Sequence, residues 1–403
     1  MRSAVFSGLA TLALLAACSG SGRDTLATNA KPGAGTNGAG TNDDGSGSTD
    51  SPIITGPVGE AGVTESCVPD PSHFEVPGNG CDDDGDGKID NPPAACDASL
   101  AVNGDAEKFA HAMGLCQRAS ATTWGLVSAS YRRGYNDTTL PPDGQHGILG
   151  AFGTSLKARE GDAFGVLSSG YARVFDDLGS KKTAFKSGSK LQDGLIFGGA
   201  VPPGFPKSAS GCPGIPMVQD VSVLHLEIKV PTNAKGLQFD FNFLSGEWPE
   251  WVCSTYNDSF IAYLKSAAFN GGKADNVSFD SKGAPVSINN AFFDRCTPNQ
   301  PTGCLASNNL QPTGNAACPG GESELAGTGF EDRGTYCGNK PSVGGGGTGW
   351  LTSQAPVKPG ETITLEFYVW DGTDGDYDSS VLLDNLRWVP EVVTAPVTTR
   401  PPK

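Results

Sequence analysis

LQFDFNFLS, residues 237–245, is the stretch that decides the fold. Leu237, Phe239, Phe241 and Phe243 alternate with Gln238, Asp240 and Asn242. That period of two belongs to a strand with one face on a core, whereas a helix would space its apolar residues by three and four. The pattern repeats upstream, where Leu224, Leu226, Ile228 and Val230 alternate with His225, Glu227 and Lys229. It repeats downstream, where Ile363, Leu365, Phe367 and Val369 alternate with Thr364, Glu366 and Tyr368, followed by a shorter apolar run, Val381-Leu382-Leu383. One segment, AEKFAHAMGL (106–115), places Phe109, Ala110 and Met113 at helical spacing behind Asp105 as its N-cap. Strands separated by Gly, Pro and Asn turns, with one short helix, lack the strand–helix alternation of a parallel sheet. The prediction is a mainly β protein: an antiparallel β-sandwich, jelly-roll-like, over residues 98–390, with long disulfide-stapled loops, chiefly 270–349.

Outward from this domain the chain changes character. Residues 1–17 place Arg2 ahead of an apolar run from Ala4 to Ala17, the layout of a signal peptide. The run is shorter than the roughly 20 apolar residues of a membrane-spanning helix. It ends Leu15-Ala16-Ala17-Cys18, which resembles the lipobox of bacterial lipoproteins. The resemblance implies cleavage before Cys18 and attachment to a membrane through lipid of the palmitate class on that cysteine. Ser19 in the next place implies the outer membrane, on either its cell-surface or its periplasmic face. Residues 18–66 hold too few large apolar side chains to bury a core and are expected to form a disordered tether. Residues 391–403 are expected to be a flexible tail.

The chain has 11 cysteines, and assigning Cys18 to lipid leaves an even number, which suits disulfides in an oxidising compartment. They are Cys67, Cys81, Cys96 and Cys116 in one group, and Cys212, Cys253, Cys296, Cys304, Cys318 and Cys337 in the other. The absence of any C-x-x-C pair counts against a zinc ribbon. Local closure would join Cys81 to Cys96, Cys296 to Cys304 and Cys318 to Cys337, although spacing alone leaves the connectivity open.

A net charge of −16 excludes a general nucleic-acid surface, which needs clustered Lys and Arg, and suits cation binding. The sharpest acidic motif lies in residues 67–97: Cys81-Asp82-Asp83-Asp84-Gly85-Asp86-Gly87-Lys88-Ile89-Asp90. It resembles EF-hand-like and thrombospondin type 3 calcium loops. Ca²⁺ takes about six to eight oxygens, and the expected ligands are Asp82, Asp84, Asp86, the Lys88 carbonyl and Asp90, with Asp97 as a late candidate. Pro93 stands where an EF-hand has its bidentate Glu. A second acidic run, 371–378, reads first as a hairpin loop, with Asp376, Asp378 and Asp384 as a weaker second site.

Several segments together, WGLVSASY (124–131), GILGAFG (147–153), VLSSGYA (166–172), FDFNFLSGEWPEWVCSTYNDSFIAYL (239–264) and YDSSVLLDNL (377–386), resemble the choice-of-anchor L domain. The resemblance covers roughly residues 119–390 and implies a secreted or surface-attached bacterial protein, with no catalytic residue to carry over. Catalytic motifs are sparse. His73, His111, His146 and His225 are scattered, and neither H-E-x-x-H nor G-x-S-x-G occurs. Gly344, Gly346 and Gly349 spell G-x-G-x-x-G but are read as a flexible loop before a strand. Glu247, Glu250 and Asp258 could supply a glycosidase carboxylate pair. Trp248, Trp251, Tyr256, Trp370 and Tyr377 gather near acidic loops, as in sandwiches that bind sugar or protein. The expected function is a calcium-dependent binding or adhesion module for a surface glycan or protein ligand, displayed by an outer-membrane lipoprotein. The alternative is a surface-anchored hydrolase acting on polysaccharide.

Overall fold

The computed structural model describes residues 67–142, 144–174, 198–289, 292–306, 311–338 and 341–401. The signal peptide, Cys18 and the tether lie outside them. Helix α1, Ala106–Ala112, forms where its spacing predicts: Asp105 accepts the Lys108 amide at 2.9 Å, and Phe109 and Met113 are fully buried.

Among the described residues, thirteen strands build two large sheets. They are β1 (Gly125–Arg132), β2 (His146–Leu149), β3 (Phe164–Ser168), β4 (Val218–Lys229), β5 (Gly236–Ser245), β6 (Ser259–Lys265) and β7 (Asp275–Asn276), then β8 (Val286–Ser287), β9 (Gly346–Gly347), β10 (Leu351–Pro356), β11 (Thr362–Gly372), β12 (Ser379–Val389) and β13 (Val397–Thr399). One sheet runs β1-β4-β11-β6-β8, with β7 also on β6; the other runs β13-β10-β5-β12-β3-β2, with β9 also on β5. Every strand pair in the two sheets is antiparallel, as expected.

The two patterns that announced strands in the sequence lie at the sheet centres. On β11, Leu365 stands between Leu226 of β4 and Leu264 of β6, and on β5, Phe241 stands between Leu351 of β10 and Leu383 of β12. Their inner faces interlock: the Phe239 and Phe367 rings meet edge to face at 5.0 Å, and Phe241 meets Phe260 at 4.9 Å.

The outer faces differ from expectation, because they too are covered. Val221, Val223, Ile261, Tyr368 and Trp370 form a second apolar cluster outside the first sheet, under Tyr135, Val201 and Phe205. Leu244, Leu382, Phe164 and Val166 form a third outside the other sheet, with Leu325, Phe330 and Val343 of the long insertion packed on them. Part of the polar half of these alternations is therefore buried, and its acids Asp240 and Glu366 are hydrogen-bonded. Asp240, fully buried, accepts the Thr352 hydroxyl at 2.6 Å and the Asn385 amide at 2.8 Å. Glu366 accepts Tyr368 at 2.7 Å and pairs with His225 at 2.6 Å.

The G-x-G-x-x-G stretch is buried strand rather than flexible loop. A Cβ on Gly346 would lie 2.9 Å from the Trp248 ring, and Gly345 has a φ of +84° with the Phe330 carbonyl 2.6 Å from its Cβ position. The tail is likewise ordered where flexibility was expected: Thr398 of β13 pairs with Ser353, and Arg400 reaches the Phe292 carbonyl at 2.9 Å and Asp294 at 3.1 Å.

All ten described cysteines are paired, but none of the three expected closures occurs. The bridges are Cys67–Cys81, Cys96–Cys116, Cys212–Cys253, Cys296–Cys318 and Cys304–Cys337. Backbone pairing explains the partners. The Asp70 amide on the Asp83 carbonyl, 2.8 Å, brings Cys67 beside Cys81, and Cys96 and Cys116 bracket α1. Pro301 opposite Asn315 makes a small ribbon that carries Cys296 to Cys318.

Candidate functional site

The 67–97 segment is docked on the sandwich rather than standing apart from it. The Trp124 indole donates to the His73 carbonyl at 2.7 Å, and the Asn233 side chain holds both the amide (3.0 Å) and carbonyl (2.8 Å) of Phe74, which is buried in the main core. This fixes the residue that follows, Glu75.

In the acidic loop, short side chains fold back on their own backbone. Asp82 accepts the amides of Gly85 (2.9 Å) and Gly87 (3.1 Å), Asp84 that of Asp86 (3.0 Å), and Asp86 that of Lys88 (2.8 Å). Gly85 and Gly87, at φ +76° and +89°, allow the bends. Asp90 closes the loop entrance by accepting Gly78 at 2.8 Å. Asp83 turns the other way and takes the Val76 amide at 3.0 Å and the Asn79 side chain at 2.9 Å.

Among the described residues, Glu75, Asp82 and Asp84 are the one group of three His, Cys, Asp or Glu side chains whose ligand atoms all lie within 4.8 Å of one another. Glu75 Oε1 accepts the amides of Asp83 (2.8 Å) and Asp84 (3.0 Å), while Oε2 is buried without a hydrogen-bond partner. Of the expected ligands, Asp82 and Asp84 are brought together. Asp86 is instead held by Lys88 and Asn91, and Asp90 by the backbone at the loop entrance. Asp97 belongs elsewhere, accepting the amides of Asp162 and Ala163. Glu75 escaped the sequence reading because it precedes the motif; its only signal is a lone acid between Phe74 and Val76.

Glu75 also lines a cavity of about 350 Å³ between this segment and the sandwich, with Phe74, Leu115, Trp124, Glu160 and Trp388 on its walls. Burial, and then the charge of Asp97, raises the Glu160 carboxyl above its usual range.

The second expected site does not assemble as drawn. Asp384 lies within β12 opposite Asp240, five positions along from Ser379, about 3.3 Å each. Its carboxylate accepts the Arg159 amide at 2.5 Å, and burial pushes it up to about 7. Asp376 is exposed and Asp378 buried. The aromatics near these loops serve packing: Trp370 is in the outer cluster, Trp248 stacks on Phe293 at 4.9 Å, and half-buried Trp251 lies 4.7 Å from Tyr256. Glu247 and Asp258, candidates for a glycosidase pair, are 1% and 0% exposed.

Residues 210–386 match the choice-of-anchor L domain family. The match starts before β4 and ends within β12, so the choice-of-anchor L stretch supplies both sheet centres. The calcium-like loop, α1 and β1–β3 precede it. Choice-of-anchor domains point to a secreted or cell-surface protein, and the match supports that setting here. No curated protein and no solved structure matches the chain. Among the described residues no helix is long and apolar enough to cross a membrane.

Proposed function

We propose that this protein is a lipid-anchored, surface-displayed binding module whose N-terminal loop is set by calcium. The observation that carries this reading is Glu75 Oε2: a buried carboxylate oxygen without a donor, grouped with Asp82 and Asp84 within 4.8 Å. A buried anion in that state is costly unless a cation meets it. Glu75 also supplies from upstream the carboxylate that Pro93 denies the end of the loop. Because Glu75 forms one wall of the cavity with Trp124 and Trp388, calcium on the loop fixes that wall, and the cavity is the place where a surface glycan or protein side chain would be held. Cys18 carries the anchor and the tether gives reach.

Calorimetric titration of the chelator-treated, disulfide-intact mature chain with CaCl₂ tests the calcium reading. The expected affinity lies in the extracellular range, about 10⁻⁴–10⁻³ M. Glu75→Gln keeps an acceptor for the Asp83 and Asp84 amides and removes the charge, so it weakens this site about tenfold or more. Equal calcium uptake by wild type and a Glu75→Gln/Asp84→Asn variant would sink the reading. The anchor has its own check: Cys18→Ser partitioning into detergent as wild type does would contradict lipidation.

A further inference from the structure

The cavity beside Glu75 is walled in carbon and edged in negative charge. Trp124 and Trp388 meet edge to face at 6.0 Å, their planes 84° apart, and form one corner of it. Phe74 adds a third aromatic side chain, and Pro77, Pro92 and Pro93 add wall with no amide hydrogen to donate. The Trp124 indole N–H is already spent on the His73 carbonyl. Asp97 and Glu160 line the same space, which at about 350 Å³ has the size and the lining of a site for a small organic group.

These two carboxylates face one another without a cation. Asp97, 3% exposed, receives the Asp162 and Ala163 amides on Oδ2 alone, and among the described residues its Oδ1 has no hydrogen bond. Glu160, the exposed one of the pair, stands at the mouth, and among the described residues no donor and no basic side chain meets its carboxylate. The charge of Asp97 adds to desolvation in raising Glu160, so each acid feels the other. The nearby basic groups are committed elsewhere. Arg387 on the wall and Arg159 next to Glu160 both turn to Asp240, at 3.5 and 3.4 Å, and burial shifts His111 toward its neutral form. A negative space lined by aromatic rings attracts a cation whose body is carbon. A metal ion is a poor fit, because Ca²⁺ takes about six to eight oxygens and the grouped carboxylates lie instead on the loop, at Glu75, Asp82 and Asp84.

We propose that the cavity receives an alkylammonium group, the side chain of a lysine on a partner polypeptide, with Asp97 and Glu160 as its charge partners and the Trp124–Trp388 corner against its stem. This names the ligand class of the cavity and rests on reading the cavity as the binding site. An ammonium donates to Asp97 Oδ1 and Glu160 and relieves their repulsion, while its aliphatic stem covers indole and proline carbon and leaves no polar group unpaired. A pyranose suits the space less well, because its hydroxyls would meet carbon where they need donors and acceptors.

Calorimetric titration of the disulfide-intact mature chain in CaCl₂ with Nα-acetyl-lysinamide tests this, beside the uncharged analogue Nα-acetyl-norleucinamide and glucosamine. The lysine probe should bind at about 10⁻³ M or tighter, as suits a ligand of its size, and the norleucine probe about tenfold more weakly. Glu160→Gln changes an exposed side chain, so its melting temperature should match wild type while its affinity for the lysine probe falls about tenfold. Asp97→Asn keeps an acceptor for the Asp162 and Ala163 amides and serves as a second variant, with the same loss expected. Glucosamine bound more tightly than the lysine probe would overturn the ligand class and leave the cavity as the binding site. Lysine binding unaltered by both substitutions, or no binding of any probe, would overturn the inference outright. Calcium uptake at Glu75 is read in its own titration, so neither result decides it.

Discussion

Glu75 and Asp384 show how differently two acids fare when judged from sequence. Asp384 sits in an acidic neighbourhood along the chain, yet strand geometry carries it away from Asp376 and Asp378 and sets it against Asp240 and the Arg159 amide. Glu75 has no acidic neighbour in the chain, yet a fold-back places it on Asp82 and Asp84. Local motif reading sees sequence proximity, and both residues are decided by contacts made across the fold. Asp384 carries a pH prediction. Its folded value of about 7 exceeds the ordinary 3.8, so between those values the folded chain keeps a proton that the unfolded chain has lost. Stability from this group is intact below about pH 4 and falls as pH rises toward 7, by up to about 1.4 kcal/mol per unit. Asp384→Asn removes that component. Urea unfolding in chelator at pH 5 and pH 7.5 should show a shallower loss for the variant, and equal losses would refute the assignment.

At the scale of elements, the alternating strands and the Asp105-capped helix were readable because amphipathic periodicity and capping are local. The extent of β12 was not: the apolar run 381–383 grew into Ser379–Val389 because pairing with β5 orders residues whose own pattern is weak. Cysteine partners were unreadable for the same reason, since ribbons and loop closures, and not spacing, bring them together. The Cys96–Cys116 bridge encloses α1 and the segment that walls the cavity, its two cysteines 20 positions apart. Replacing both cysteines by Ala should cost about 2–4 kcal/mol, measured by thermal or denaturant unfolding. A loss much below 1 kcal/mol would mean that Phe109 and Met113 packing alone holds the helix.

For the molecule from Cys67 onward, the sandwich was foreseeable but its clothing was not. Nothing in the periodicity of β4, β5 or β11 reveals that the 270–349 insertion covers one sheet, or that Tyr135, Val201 and Phe205 help to cover the other, because covering segments contribute scattered residues such as Phe330 and Phe205 with no repeat of their own. The same covering buries the polar alternation and turns surface acids into interior ones. Docking of the 67–97 segment through Trp124 and Asn233 likewise makes the acidic loop part of the body that bears the cavity, so an ion bound as proposed at Glu75 would be mechanically joined to the cavity wall. A crystal structure of the disulfide-intact mature chain grown in millimolar CaCl₂ tests this most directly. It should show an ion about 2.3–2.6 Å from oxygens of Glu75, Asp82 and Asp84. An ion held by Asp86 and Asp90 without Glu75, or a loop that takes no ion at that concentration, would contradict it.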